Sequence, residues 1–203
     1  SGMKVGDENY DKDYNAMKAA TNQSTAGIHN LGKVYWLASR NGYAYSSDAD
    51  FYLRHVYSDG STNSSSLWFV DSTGYSRTTS ASYGLRPVIT LKNGLQTYSG
   101  TGSSEEPYKI LAPTTATVSL ASVAKPGDYI EYHGGNNYTG LWQVLYNDAS
   151  NGLQIISADT VEDVTLGSET DLDKVKADYN DAVNILNTAS RKYVNPIYAT
   201  SGR

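Results

Sequence analysis

Two apolar blocks bracket a long polar segment, and this arrangement most constrains the fold. The first block is YWLA at residues 35–38, and the second is LRPVITL at residues 85–91. Between them Tyr, Ser, Asp, Asn and Gly replace most of the apolar residues. Polar, aromatic-rich segments held on a rigid frame are typical of recognition surfaces. The stretch 35–91 therefore indicates a binding surface between two core elements.

Tyrosine is the dominant aromatic residue, with Tyr 18 against Phe 2. Tyr-rich strands are ordinary in β-proteins, because aromatic residues fit a pleated, half-buried surface. A demand for apolar bulk alone would not select a hydroxyl at most aromatic positions, so we expect many of the rings to be partly wet. Tyr offers a large contact area with few torsions to freeze, while Ser, Gly and Asn add adaptable hydrogen bonds. The composition favours binding over chemistry.

Charge and residue usage argue against several functions. The net charge of -5, without a run of Lys and Arg, argues against nucleic-acid binding. Cys 0 leaves no disulfide framework and no thiolate chemistry. We expect no membrane insertion by this segment, because no apolar run approaches membrane-spanning length. The low hydrophobic (39%) and charged (18%) fractions are commoner in extracellular β-rich binding proteins than in cytosolic enzymes.

The periodicity of apolar residues predicts an α+β fold with short antiparallel strands and two helices in one domain. One helix is predicted from Tyr10 to near Ala20, and the main one over 170–195, with Thr170 as its N-cap. A hairpin turn is predicted at 58–61, a polar excursion at 72–82 and a linker-like composition over 92–124. The predicted strands are 35–38, 51–57, 67–70, 85–91, 116–120, 129–132, 141–146 and 153–156.

No catalytic or metal-binding constellation stands out in the sequence. There is no nucleophile elbow, phosphate-binding loop or cysteine cluster. Asp48, Asp50 and Asp59 carry oxygen ligands, but a calcium site needs more oxygens and a turn pattern that is missing here. The histidines are far apart and are expected to be surface or turn residues: His29, His55 and His133. We predict that the chain is not an enzyme and uses no cofactor or metal.

Three motifs carry a resemblance to a known family. YWLAS at 35–39, ADFYLRHVYSDG at 49–60 and GLRPVITL at 84–91 resemble the C-terminal variable region of proteins diversified by diversity-generating retroelements. Such proteins have a C-type lectin-like fold, distantly related to formylglycine-generating enzymes. In that family, adenine-directed mutagenesis of Asn-type codons yields Asn, Tyr, Ser, Asp and His at chosen surface positions. The resemblance therefore implies a diversified ligand-binding face on a fixed scaffold.

The resemblance also implies a role for individual residues. The implied scaffold residues are Phe51, Leu53, Val56, Leu67, Leu85, Arg86 and Pro87. The implied ligand-binding residues are Asn41, Tyr43, Tyr45, Ser47, Asp48, Asp50, Tyr52, His55, Tyr57, Asp59, Ser61, Asn63, Trp68, Phe69, Asp71 and Tyr75.

The order of the segments implies a circular permutation. KPGDYIEY, LWQVLY and GLQIISAD, followed by the predicted helix 170–195, resemble the beginning of such a domain, yet here they come second. Residues 1–97 would be the C-terminal-type half with the variable region 35–91, residues 98–124 the linker-like join, and residues 125–203 the N-terminal-type half. Domains whose termini lie close together tolerate such rearrangement.

The expected function is a receptor- or adhesin-type binding module, monomeric as a domain, on a bacterial surface or a phage particle. Its expected partner is a protein or cell-surface ligand. Calcium-dependent sugar recognition is not implied, because the Glu-Pro-Asn, Gln-Pro-Asp and Trp-Asn-Asp motifs are absent, and Cys 0 excludes formylglycine chemistry. The alternatives are a glycan-binding or glycan-cleaving domain that uses Asp48, Asp50 or Asp59, and a structural subunit of a surface fibre.

Overall fold

The computed structural model describes residues 10–20, 27–73, 75–111, 117–135, 138–169 and 171–203. Within them the chain is a mixed α+β protein made mostly of strands, as the periodicity predicted. The helices are α1 (Tyr10–Ala19), α2 (Leu120–Val123) and α3 (Leu172–Arg191). The strands are β1 (Tyr35–Ala44), β2 (Asp48–Val56), β3 (Thr62–Asp71), β4 (Ser76–Thr78), β5 (Ala81–Gly84), β6 (Val88–Leu91), β7 (Gln96–Thr97), β8 (Tyr108–Leu111), β9 (Val118–Ser119), β10 (Tyr129–Glu131), β11 (Trp142–Asp148), β12 (Gly152–Ser157), β13 (Asp163–Leu166) and β14 (Ala199–Gly202).

The chain divides into two compact units that each collect separate stretches of sequence. The first unit comprises the described parts of 1–12, 30–85 and 162–187, and the second those of 13–29, 86–161 and 188–203. These boundaries differ from the predicted single domain with halves 1–97 and 125–203. The difference arises because β13 and most of α3 join the unit that contains β1 to β5.

The first unit contains a six-stranded sheet in the order β13-β5-β1-β2-β3-β4. Its centre is an antiparallel meander of β1, β2 and β3, and the predicted hairpin between β2 and β3 is confirmed. The backbone amide of Tyr57 donates to the carbonyl of Ser61 (2.8 Å) across that turn, and Gly60 adopts a φ of 83°. A positive φ suits glycine because it has no Cβ.

Helix α3 covers one face of this sheet with its residues up to Asn187. The Tyr179 ring lies 4.9 Å from the Phe51 ring and 5.4 Å from the Trp68 ring. The Trp68 indole N–H donates to the Asp178 carboxylate at 2.7 Å, so the buried ring keeps its one polar atom satisfied. The Asp171 carboxylate accepts from the backbone amides of Asp173 and Lys174, which makes Asp171 the N-cap of the helix.

The second unit contains an eight-stranded sheet in the order β14-β6-β12-β11-β10-β8-β7-β9. Strands β11 and β12 lie in its interior, and five consecutive residues of each are buried. Their near-continuous apolar sequences fit strands that are covered on both faces. The Tyr132 hydroxyl donates to the carbonyl of Tyr193 at 3.0 Å and accepts from the amide of Asn195 at 2.7 Å, which anchors the segment after α3.

The buried guanidinium of Arg86 ties together three parts of the second unit. Its Nε and Nη2 both donate to the carbonyl of Ser157, at 3.0 and 2.7 Å. Its Nη1 donates to the carbonyl of Ile28 at 2.7 Å. Arg86 is 6% exposed, so these carbonyls would be left without water as a substitute partner if the guanidinium were removed.

Several sequence-based predictions of elements need correction. The excursion 72–82 contains β4 and the start of β5, which are too short and polar for a periodic signal to detect. The predicted strand 85–91 is extended and paired only from Val88, and the predicted strand 116–120 is β9 followed by α2. The described part of the join 98–124 holds β8, β9 and α2, because brief pairings can form within a Gly- and Ser-rich composition.

Some predictions fall outside the described residues and others are confirmed. The loops at 1–9 and 21–26, the end of the 134–137 turn and the Thr170 N-cap lie outside them. The first helix, β1 to β3, β10 to β12 and the main helix are confirmed. Leu53, Val56, Leu67, Leu85, Arg86 and Pro87 are buried as scaffold residues should be, and Phe51 is half-buried.

We predict that Arg86→Met lowers the free energy of unfolding by about 3 kcal/mol, because two buried backbone carbonyls lose charged donors. Urea unfolding measures the change. Arg191→Met is the matched control, since Arg191 is exposed and its guanidinium donates at 3.4 Å to Thr188 alone among the described residues. It should change the free energy by less than about 0.5 kcal/mol. Equal urea midpoints for the two variants would contradict the role assigned to Arg86.

Candidate ligand-binding face

The predicted ligand-binding residues separate to opposite ends of the first unit's sheet. The β1–β2 and β3–β4 turns lie at one end, where the amide of Ser72 donates to the carbonyl of Ser47 at 2.7 Å. The β2–β3 turn lies at the other end, roughly 25 Å away along β2. His55, Tyr57, Asp59, Ser61 and Asn63 belong to that far end. The predicted residues therefore do not form a single contact surface.

A contiguous surface forms at the first end, on the sheet face opposite α3. Phe51 points toward α3, so its neighbours Asp50 and Tyr52 point away from it. Asp50 is the Cα partner of Tyr43 on β1 and of Phe69 on β3, which places all three on this face. We call this surface the aromatic face; it comprises Tyr43, Tyr45, Asp48, Asp50, Tyr52, Phe69 and Tyr75.

The rings of the aromatic face contact one another and remain open to solvent. The Tyr43 and Tyr52 rings meet edge to face at 5.7 Å, and the Phe69 and Tyr75 rings lie 6.4 Å apart. Tyr43 is 44% exposed, and Tyr45 and Tyr75 are each 59% exposed. The prediction that these tyrosines are exposed to solvent is confirmed. Their mutual contacts restrict the side chains before binding, so less conformational entropy would be lost when a ligand binds.

Asp50 lies among these rings. Its Oδ1 accepts from the Ser66 hydroxyl at 3.1 Å. Burial, followed by the nearby Asp50 and Tyr45, raises the pKa of the Tyr52 phenol above its ordinary value, which makes the phenol a still weaker acid. Ser66 was not among the predicted ligand-binding residues, because its pairing with Tyr52 depends on a register shift in the β2–β3 ladder.

Two predicted ligand-binding carboxylates hold turns. The Asp71 Oδ1 accepts from the Thr73 amide and hydroxyl and from the Tyr75 amide, within 3.0 Å in each case. The Asp59 Oδ1 accepts from the Ser61 amide at 2.8 Å and from its hydroxyl at 2.6 Å, and these bonds lower the pKa of the carboxyl. Both fix backbone conformation, as Asp commonly does in turns.

The exposure of three predicted ligand-binding residues contradicts their assignment. Trp68 is 1% exposed because it packs under Tyr179 and donates to Asp178. Asn41 is 3% exposed, and the Tyr179 hydroxyl of α3 donates to its backbone carbonyl at 3.4 Å. His55 is 2% exposed, which also corrects the expectation that it is a surface residue.

His55 occupies an aromatic cluster at the far end of the sheet. Its ring lies 4.6 Å from the Tyr57 ring, 5.0 Å from the Tyr83 ring and 6.3 Å from the Trp36 ring. The Ser65 hydroxyl is 3.2 Å from Nδ1, while the buried Nε2 has no hydrogen-bond partner among the described residues. Burial lowers the pKa of His55, so the ring is neutral at neutral pH.

Among the described residues, no group of three or more His, Asp or Glu side chains is arranged to hold a metal ion. The helices of the described ranges are too short or too polar to cross a membrane. No protein-family model matches the sequence, and neither a curated protein nor a solved structure matches it.

We predict that His55 makes folding stability depend on pH near its ordinary pKa of 6.5. The unfolded chain takes up a proton at His55 at a higher pH than the folded chain, because burial lowers the folded pKa. The contribution of neutral His55 to the free energy of unfolding is complete at pH values above the pKa of His55 in the unfolded chain. It is lost as the pH falls below that pKa. Urea unfolding from about pH 5 to about pH 7.5 measures the slope of free energy against pH.

Replacement of His55 by Asn should flatten that slope. Burial and the charge of Lys18 also lower the pKa of His29, so the comparison is made in the His29→Asn background, where the other contribution is gone. An unchanged slope between H29N and H29N/H55N would show that His55 is not held neutral.

Proposed function

We propose that the chain is a ligand-binding module whose aromatic face recognises a protein or cell-surface ligand. The observation that carries the proposal is the contiguous set of exposed Tyr rings and Asp carboxylates on one sheet face. Isolated apolar residues on a surface are ordinary, but a contiguous patch of this kind favours a binding role. Tyr and Asp at such a surface supply contact area and directional hydrogen bonding respectively.

The strands beneath the face are well suited to hold a binding surface still. Phe51 and Trp68 alternate with the residues of the aromatic face and pack against Tyr179 of α3. Tyr43, Asp50 and Tyr52 lie on strands, where binding groups are placed more accurately than on free loops, and Tyr45 and Tyr75 lie in the adjoining turns. Little ordering free energy would be needed when a ligand docks, which favours affinity.

Exposed tyrosines are expected to supply most of the binding free energy. Aromatic residues are enriched among interface residues whose truncation costs about 2 kcal/mol or more. Tyr43, Tyr45 and Tyr75 meet the requirement of exposure before binding. Asp48 and Asp50 are half-buried beside them and would contribute chiefly to specificity.

We propose further that this module is a variable protein of a diversity-generating retroelement with a C-type lectin-like fold in circularly permuted order, displayed on a bacterial surface or phage particle. The motifs at 35–39, 49–60 and 84–91 support this class. The neighbourhood of the coding region tests it. A reverse transcriptase beside a near-identical repeat that differs from codons 35–91 mainly at adenines is expected, and its absence would count against the class.

We predict that Tyr43→Ala, Tyr45→Ala and Tyr75→Ala each weaken ligand binding about 30-fold while changing the free energy of unfolding by less than about 0.5 kcal/mol. The labelled protein is first applied to arrays of bacterial and host surface proteins and of glycans to find the ligand. Titration calorimetry then compares the variants. Tyr98→Ala is the matched control, because Tyr98 is 50% exposed in the second unit and should leave affinity unchanged.

Two results would reject this function. Affinity that survives in the combined Y43A/Y45A/Y75A variant would place binding elsewhere. Turnover of an arrayed glycan that disappears on Asp50→Asn substitution would replace the binding module with a glycan-cleaving enzyme.

A further inference from the structure

The aromatic face concentrates negative charge among its rings. Asp48 and Asp50 are two residues apart on β2 and therefore share a face. Asp48 is also the Cα partner of Asp71 on β3, so two carboxylates lie directly opposite each other across the ladder. Like charges in that relation are unfavourable. A ligand that neutralises them would gain free energy that a neutral ligand would not.

We propose that the aromatic face binds a protein segment that presents an Arg or Lys side chain, with the cation seated on the Tyr43 and Tyr52 rings against the Asp50 carboxylate. This inference rests on the proposed function and adds the chemistry of the partner. A guanidinium or ammonium group has both properties that the face can recognise: it pairs with a carboxylate, and it binds to the face of an aromatic ring.

The geometry around Asp50 suits such a cation. Tyr43 and Tyr52 contact each other at 5.7 Å, and Tyr43 lies opposite Asp50 in the register of β1 and β2. Neighbouring strands are about 4.8 Å apart, so the Tyr43 and Asp50 side chains rise side by side from paired positions. The Tyr52 phenol is close enough to the Asp50 carboxylate for that carboxylate to raise its pKa, so a cation held at Asp50 would lie beside aromatic rings. The Ser66 hydroxyl bonds one carboxylate oxygen, Oδ1, and so orients the group.

The wider charge distribution favours a cationic partner over an anionic or neutral one. The chain carries a net charge of -5, which attracts cations at long range and speeds their association. Arg77 on β4 is the Cα partner of Phe69, so its register position lies in the same row as Asp50. The experiment therefore includes a background in which residue 77 is uncharged.

The test uses the full chain and blocked peptides. Ac-Arg-Gly-Arg-NH2 is titrated into isotopically labelled protein at low salt, and its citrulline counterpart provides the same shape without charge. Amide resonances should shift around Tyr43, Asp50 and Tyr52 with the Arg peptide. We expect the citrulline peptide to bind at least about tenfold more weakly, and Asp50→Asn to weaken the Arg peptide about tenfold.

Asp163→Asn is the matched control for Asp50→Asn. Asp163 is exposed on β13 of the same unit, and both substitutions change the net charge equally. Only the loss of the Asp50 carboxylate should weaken binding of the Arg peptide. Titrations are repeated in the Arg77→Gln background, where dependence on Asp50 should persist. Equal loss in D50N and D163N, or equal binding of both peptides, overturns the inference. Spermine is titrated as a cation that is not a peptide. If it binds as tightly as the Arg peptide and shifts the same resonances, the assignment to a protein segment is overturned.

The two proposals can fail separately. If Y43A, Y45A and Y75A lose an arrayed ligand that D50N still binds, the binding function stands and the cationic partner is rejected. If the Arg peptide binds at Asp50 while the arrayed ligand binds the tyrosine variants as tightly as the unsubstituted chain, the proposed function fails.

Discussion

The one-sided cover of the first unit's sheet is the constraint on which its surface chemistry depends. Tyr179 of α3 packs on Phe51 and Trp68, and only the alternate side chains of those strands face helix α3. Hydrophobic stabilisation is therefore concentrated on the covered face. Asp50 and Tyr52 on the opposite face can be polar or aromatic without weakening that core.

The strand register determines which side chains point toward α3 and which point away from it. A slip of β3 by one residue would turn Trp68 away from α3 and Phe69 toward it. The hydrogen bond from the Trp68 indole to Asp178 resists such a slip, because its loss would leave both polar groups in a poor environment. The register shift between Phe51 and Tyr52 lets the pairs Phe51–Trp68 and Tyr52–Ser66 each keep their own face.

The sequence predicted the elements whose pattern is local and missed properties that depend on distant partners. Apolar blocks and turn residues were sufficient for β1 to β3, for β11 and β12 and for most of α3. The burial of Asn41 and Trp68 could not be predicted, since each is polar or amphipathic and is covered through contacts distant in sequence. The separation of Tyr57 from Tyr43 was missed because a hairpin sends residues that are near in sequence to opposite ends of a strand pair.

Asp48, Asp50 and Asp71 bring like charges close together, and the cost of that arrangement depends on how well water reaches them. Asp71 already contributes to folding by holding the β3–β4 turn, which offsets part of its repulsion with Asp48. Asp48 bonds only weakly to the Ser47 hydroxyl, at 3.4 Å and in an exposed environment. Repulsion between solvated carboxylates costs little stability, whereas the same pair becomes costly when a partner excludes water without supplying positive charge. If the face binds a partner as proposed, its carboxylates would be tolerated in the free protein and would discriminate among partners on binding.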